Sequence, residues 1–416
     1  MVHLEPFPAV RFNPSLSAAE VLAPPYDVLS DADVDRLQTH QHNITHIDVP
    51  RGGPDRYSKA AALMRQWLAS GTLVAEAPES FTIYRMSFAD ATGQARQTSG
   101  VFGGLAVVDP AQGGVLPHER TTPKASTDRL DLTVATAANL SAVWVLSLAS
   151  GLTDALAQPG EPLGGVICGP DGMPFRDDAG APADLLAGQV HHQVERVTDP
   201  ARIAAIKAVI GSDDVLIADG HHRYGVARQY KDQVRAATGR NDSAAEYALA
   251  FVNELSADQL SIEAIHRLYS GVEAAAFEAK LAEFFDIAVA PAPTPSMLAQ
   301  METSGRLVLL RQDSSAAWLT PKPRAFQGVR ALDGAYLEHA LSGLGVQVTY
   351  QHGLSQTQAE VTSGRYAAGI VIRPTSITEI IRTAREGLLM PPKSTFFSPK
   401  LLTGWVIRQT APLPTA

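Results

Sequence analysis

The sequence predicts a mixed α/β protein, α+β in its alternation, built on a strand–loop–helix core with additional mixed-sheet subdomains. Three observations carry that expectation. Val215 to Ala218 is a short apolar run of the kind that fills a buried strand, and Asp219-Gly220 ends it with turn chemistry. Val226, Ala227, Tyr230, Val234 and Ala237 then recur at helical spacing, with Gly239 where a left-handed C-terminal cap belongs. Outside this stretch, β-rich runs and helical patterns alternate along 416 residues, a length that can bury a large core and holds two or three domains.

Taken in order, Ala9 to Phe12 reads as a strand, and Ala23-Pro24-Pro25-Tyr26-Asp27-Val28 as extended, because proline biases the residue before it away from helix. That rigid loop presents Tyr26 and Asp27, either to a ligand or as a structural turn. Ser30 and Asp33 form a capping-box pattern opening a helix to about His40. Asn43 to Val49 reads as a strand, and Asp55 to Ser70 as an amphipathic helix stopped by Gly71. Ser80 to Phe88 and Arg96 to Asp109 form a hairpin.

The loop that follows contains His118-Glu119-Arg120-Thr121-Thr122-Pro123-Lys124, with a candidate acid/base pair in His118 and Glu119. Thr122 stands where a zinc protease needs its second histidine. Lys124, Asp128 and Arg129 precede a helix from Leu130 to Ala138 and a strand from Ala142 to Leu148, an arrangement able to hold an anion or a metal-bridged phosphate. A surface salt-bridge cluster is the alternative.

Residues 149–186, rich in Gly, Pro, Ala and Asp, are expected to be loops with a hairpin around Asp171-Gly172, and to mark an internal boundary. His191 and His192 lie in a strand reaching Val197. Neighbouring strand residues face opposite ways, so they make poor joint metal ligands. Asp199-Pro200 opens a helix closed by Gly211.

After the core, Tyr247 to Val252 and Ile265 to Leu268 read as strands; Arg267 in the latter can reach a carboxylate or phosphate, or form a plain ion pair. Helices at Ala274–Phe285 and Asp333–Ser342, with strands at Arg306–Arg311, Ala316–Thr320 and Ala367–Ile372, point to packing rather than chemistry. Ser376 and Glu379 cap a last helix that Gly387 ends. Leu389 to Lys400 then combines a rigid proline pair with Lys393, Ser394, Thr395, Phe396, Phe397 and Lys400. Lysine and hydroxyls there suit phosphate, and Phe396 or Phe397 can cover a base. The expected regions are 1–150, 187–270 (the core), 271–350 (accessory) and 351–416.

The core loop has the strongest chemistry. The first turn of a helix leaves backbone N–H groups unpaired at the positive end of its dipole. Gly220 lets an anion approach that backbone, and Arg223 adds a planar fork of donors. The loop therefore reads as a phosphate cradle; the alternative is that Asp219 merely caps the helix.

Gly220-His221-His222-Arg223-Tyr224 followed by Ala227 resembles the Gly-x-His-Arg-Tyr-x-x-Ala signature of sulfiredoxins and, more loosely, the Gly-Glu-Arg-Arg loop of ParB proteins. The resemblance implies a ParB/sulfiredoxin-like core whose loop binds nucleotide phosphates, in a superfamily with a branch that phosphorylates free serine. The sulfiredoxin nucleophile would fall at His221, so cysteine sulfinate chemistry is not implied. A second resemblance spans most of the chain. Pro24 to Val28, His118 to Thr121, Asp128-Arg129, Asp219 to Tyr224, His266-Arg267 and Met390 to Lys400 occur in the order found in a widespread bacterial and archaeal family known as a domain of unknown function. Its members are linked by context to serine biosynthesis.

Bulk properties narrow the classes. Hydrophobic residues at 45% and charged ones at 19% describe a globular chain. A net charge of −9 argues against broad nucleic-acid binding, which needs a basic face. One cysteine, Cys168, excludes an intramolecular disulfide and a four-thiolate zinc site. No stretch approaches the ~20 apolar residues of a membrane span, and no basic-then-apolar leader opens the chain, so a cytoplasmic location is expected. The absence of a Gly-x-x-x-x-Gly-Lys-[Ser/Thr] run argues against a P-loop enzyme.

The expected function is a nucleotide-dependent kinase, a phosphotransferase with an alcohol acceptor, converting free L-serine to O-phosphoserine with ATP or ADP and Mg²⁺. Gly220, His221, Arg223 and Tyr224 would hold donor phosphates, with Lys124, Arg129, Lys393, Ser394 and Thr395 completing the nucleotide site. Tyr26, Asp27, Thr121 and Arg267 would bind the acceptor, and Asp219, Asp27 or both the magnesium. Glu119 is the expected base, His118 the second choice, with Asp219, His222 and Arg223 also in the catalytic set. The alternatives are a metal-dependent phosphatase or phosphodiesterase and a non-enzymatic ParB-like nucleotide or nucleic-acid binding protein; homo-oligomerisation is left open.

Overall fold

The computed structural model describes residues 2–90, 93–109, 112–117, 126–180, 185–391 and 393–410. The fold is mixed α/β, and the chain divides into two compact units, 1–260 with 399–416, and 261–398.

The first unit holds a ten-stranded mixed sheet made of β1 (Leu4–Glu5), β2 (Phe81–Ala89), β3 (Ala95–Ala106), β4 (Val115–Leu116), β5 (Val143–Ser147), β6 (Glu161–Cys168), β7 (Pro174–Asp177), β8 (Val190–Val197), β9 (Val215–Asp219) and β10 (Tyr247–Glu254). The spatial order is β7-β6-β8-β2-β3-β10-β5-β9-β4, with β1 on β3. The hairpin of β2 and β3 forms as expected, in register from Thr82↔Phe102 to Ala89↔Ala95. Strand β9 runs antiparallel to β5 and parallel to β4, and its first four residues are buried.

Around the sheet lie α1 (Asp31–Leu37), α2 (Thr45–Asp48), α3 (Arg56–Ser70), α4 (Ser126–Thr136), α5 (Leu152–Ala157), α6 (Pro200–Gly211) and α7 (His221–Thr238). Their ends follow the sequence signals. Ser30 and Asp33 complete a full capping box on α1, Gly71 closes α3 and Gly239 closes α7, both left-handed, and the Asp199 side chain caps α6 ahead of Pro200. Ile206 and Ile210 of α6 and Tyr224 and Ala227 of α7 join Val143, Val145, Val215, Ile217, Ala250 and Val252 in one buried cluster. At about 25 cal/mol per Å² of apolar surface, burial of this kind is the main force holding helices to sheet.

Two expectations are corrected. Asn43 to Val49 is not a strand. The Asn43 side-chain oxygen accepts from Thr45 N at 3.0 Å and from the Thr45 hydroxyl at 2.8 Å, a local turn that starts α2 instead. Residues 149–186 are more ordered than their composition implies: the expected hairpin around Asp171-Gly172 joins β6 to β7, but α5 also forms, and both strands extend the sheet beyond β8. The glycines that hide this strand are what it requires, since a Cβ at Gly165 would lie 2.0 Å from Asp178 O.

The second unit has a six-stranded sheet of β11 (Ile265–Ser270), β12 (Phe285–Ala290), β13 (Leu307–Leu310), β14 (Ala316–Pro321), β15 (Gln347–His352) and β16 (Ala368–Val371), ordered β12-β14-β13-β16-β11-β15. Helices α8 (Ala274–Phe284) and α9 (Asp333–Ala340) pack Phe277, Leu281, Leu337 and Ala340 against Leu307, Leu309, Leu319 and Ile370. Among the described residues no helix is long and apolar enough to cross a membrane.

Candidate functional site

In the first unit the end of β9, the start of α7, the Pro24-Pro25 loop, α2, α4 and the C-terminal segment bring charged groups together. Gly220 is the N-cap of α7 at φ 87°, ψ 28°, with no side-chain cap bond. Asp219 is therefore not that helix's cap. Its Oδ1 accepts from Gly220 N at 2.8 Å and its Oδ2 from Lys400 Nζ at 2.9 Å. Burial alone would raise the Asp219 carboxyl; Lys400 and Arg223 outweigh it and hold the group well below the usual carboxylate range.

Arg223 sits in the first turn of α7 with its side chain 11% exposed. Nη1 donates to Ala142 O. Nη2 stands 3.6 Å from Asp219 Oδ2 and 4.0 Å from Asp27 Oδ2, too far for a hydrogen bond to either. Nε is buried without a hydrogen-bond partner. A guanidinium carries five donors, so this one keeps unused capacity beside two carboxylates that stand beyond hydrogen-bond range. Asp27, its side chain 34% exposed, is the more accessible of the two.

A second, tighter network backs the first. Arg129 Nη1 donates to Asp48 O at 2.8 Å and to Asp48 Oδ1 at 3.1 Å, and its Nε donates to Asp128 Oδ2 at 3.2 Å. Its guanidinium lies 4.0 Å from the centre of the Tyr26 ring. Asp48 is buried, which pushes its carboxyl up, with Arg129 and the Ser141 hydroxyl at 3.2 Å opposing the shift. Asp128 accepts from the Tyr57 hydroxyl and, at 3.1 Å, from Arg56 Nη2. A cavity of about 40 Å³ lined by Tyr26, Asp48, Arg129, Asn139, Ser141 and Arg223 lies among these groups. It has room for about one to three waters, not for a nucleotide.

The structure thus brings together Tyr26, Asp27, Arg129, Asp219, Gly220 and Arg223. Arg129 is engaged by Asp48 and Asp128, so its position is that of a strut under Tyr26 rather than an open phosphate ligand. Tyr224 is turned into the core, its hydroxyl donating to Ala106 O at 3.2 Å and accepting from Val108 N at 3.0 Å. His221 and His222, both half-buried, open α7. His118, Glu119, Thr121 and Lys124 lie outside the described residues.

Arg267, Lys393, Ser394 and Thr395 belong to the second unit. Arg267 is buried and donates to Ile265 O at 2.5 Å and to Lys393 O at 3.1 Å. Ser394 donates to Pro391 O at 2.7 Å, so its hydroxyl shapes the turn, and Lys393 holds a left-handed φ of 57° with an exposed side chain.

Sequence reasoning assigned no role to Asp48, Tyr57, Ser141 or Lys400 alone. The Asp48 signal was hidden by a mistaken strand; Lys400, inside the tail motif, was the one that could have been found. Among the described residues no group of three or more His, Cys, Asp or Glu is placed to hold a metal. Mg²⁺ characteristically takes one or two carboxylates plus substrate phosphates. Asp27, half open and without a close hydrogen bond from its cation, fits that demand better than Asp219, which already holds Lys400. A groove of about 850 Å³ along α6, lined by Val2, His3, Pro200, Ile203 and Lys207 among others, contains none of the sequence-predicted site residues.

A family model described as "Protein of unknown function (DUF1015)" matches residues 4–335. No curated protein matches the sequence. Similar solved structures include a free serine kinase in complex with AMP, at 11% identity and TM-score 0.38 over 72% of this chain and 87% of that one. A conserved hypothetical protein from Pyrococcus furiosus is similar at 11% identity and TM-score 0.39, over 74% and 95% of the two chains. SbnI from Staphylococcus aureus, with a C-terminal truncation, is similar at 13% identity and TM-score 0.37, over 73% and 86%.

Proposed function

The chain belongs to the DUF1015 family of proteins of unknown function, and from that premise we propose that it is a nucleotide-dependent phosphotransferase acting on a small alcohol, with free L-serine as acceptor and ATP or ADP as donor. One observation carries the reading. Arg223, mostly buried behind the glycine that opens α7, keeps unused donors where the helix terminus already favours an anion. The resemblance of Gly220 to Ala227 to a phosphate-binding signature supports the same role.

Phosphoryl transfer asks a protein for charge neutralisation and alignment more than for covalent chemistry. In this reading Arg223 and the first turn of α7 receive donor phosphate, and Asp27 faces the acceptor end. Tyr26, held by Arg129, forms a rigid wall. Mg²⁺ arriving with the nucleotide would be met by Asp27, with Asp219 the second candidate, and would supply further neutralisation. Glu119 is the proposed base, His118 the second, and Lys124 remains a proposed phosphate contact. A cytoplasmic location is part of the proposal.

The test is incubation of purified protein with Mg²⁺, ATP or ADP and a panel of amino acids, followed by mass spectrometry. The expected outcome is O-phosphoserine that forms only when nucleotide is present. Release of phosphate from phosphoserine without nucleotide would favour a metal-dependent phosphatase, and no phosphorylated product from any acceptor contradicts the kinase reading.

A further inference from the structure

Asp219 is shared unequally between two cations. Lys400 Nζ donates to Oδ2 at 2.9 Å, whereas Arg223 Nη2 stands 3.6 Å from the same oxygen. Gly220 N holds the other oxygen at 2.8 Å. A guanidinium beside a carboxylate in a mostly buried site ordinarily closes into two parallel hydrogen bonds. Here each carboxylate oxygen already accepts one shorter bond, Lys400 draws Oδ2 towards itself, and the guanidinium keeps its Nε without a partner. We propose that Lys400 is a positioning residue that keeps Asp219 out of hydrogen-bond range of Arg223, leaving guanidinium donors unused for an oxyanion.

The proposal rests on the reading of Arg223 as a phosphate receiver. Lys400 is placed by the C-terminal segment, which is tied into the first unit at several points. Ala23 and Thr403 exchange backbone bonds at 3.2 and 2.8 Å, Val10 and Ile407 exchange two at 2.9 Å, and Leu402 N donates to the Tyr84 hydroxyl at 3.1 Å. Ala23 immediately precedes the Pro24-Pro25 loop, so the segment that delivers Lys400 also anchors the start of the loop that carries Tyr26 and Asp27.

A double-mutant cycle separates this role from direct ligand contact. Crystal structures and calorimetric titrations with ADP, in EDTA, compare the wild type with K400M, K400R, D219N and K400M/D219N. In K400M the Asp219–Arg223 distance is expected to close from 3.6 Å into hydrogen-bond range, and ADP affinity to fall at least about tenfold. K400R should restore most of that loss, and in the D219N background removing Lys400 should cost less than about threefold. A K400M crystal that keeps the wild-type separation overturns the proposal. An equal cost of losing Lys400 in both backgrounds also overturns it, because Lys400 then touches the ligand itself. Should K400M fail to fold, K400Q carries the same comparison. If the wild type does not bind ADP, the phosphate-receiver reading fails, while the crystallographic comparison still decides whether Lys400 holds Asp219 away.

Discussion

Arg223 and Gly220 depend on each other. A Cβ at position 220 would lie 3.0 Å from both Cζ and Nε of Arg223, and the backbone there has φ +87°. Gly220→Ala is therefore expected to strain the corner and displace the guanidinium together, at roughly 1–3 kcal/mol. Urea denaturation with an activity assay checks it: both stability and turnover should fall, and a variant equal to wild type in both removes the glycine from the argument. The sequence disclosed this pair because its signal is local, a glycine and an arginine three residues apart at a strand-to-helix corner. Lys400, 181 residues beyond Asp219, has no local pattern to reveal its partner.

At the scale of elements, α2 and α4 meet through the Asp48–Arg129 pair. Both side chains are largely buried, at 4% and 11% exposure, so losing Asp48 leaves Arg129 with Asp128 as its remaining carboxylate partner and part of its desolvation penalty uncompensated. Asp48→Ala should destabilise the protein by about 1.5–3 kcal/mol and loosen Tyr26, because Arg129 lies against that ring. A denaturant midpoint within error of wild type would contradict this. Periodicity and capping signals located α1, α3, α6, α7 and the β2–β3 hairpin, each set by residues within one element. The same reasoning lost α2, whose start depends on Asn43 reaching its own backbone neighbourhood and also Glu20 O and Leu22 O. It placed the turn between β6 and β7 but not the length of β6, where Gly165 serves the close approach of the backbone at Asp178 rather than a turn.

At the scale of the whole molecule, each unit contains a buried imidazole. Burial, with His191 adding to it, pushes His192 down to about 3 in the first unit, where its ring nitrogen meets the Tyr84 hydroxyl at 2.7 Å. Burial, with Arg267 and His352, pushes His266 down to about 4 in the second, where its Nδ1 accepts from Ile372 N at 3.3 Å. Both values are depressed on folding, so the unfolded chain takes up protons first. The stability these groups contribute is complete above the ordinary histidine pKa of about 6.5 and is lost as pH falls towards 4 and 3. Thermal melts between pH 7 and pH 3 should show this decline, made shallower by His192→Gln; a flat profile would contradict it. Composition and charge bounded the class of the molecule, but the division into units was not legible, because residues 399–416 return to the first unit after 138 residues spent in the second.

Phosphoryl transfer by this protein requires Arg223 to receive the donor phosphate, and turnover in the serine phosphorylation assay tests that requirement most directly. Arg223→Ala, folded by circular dichroism, should lose at least tenfold, about 1.4 kcal/mol of barrier. Arg223→Lys should recover little, because a point charge does not reproduce the planar fork. Glu119→Ala, the control for the proposed base, should lose a similar factor. Wild-type turnover in a folded Arg223→Ala protein would contradict the central claim.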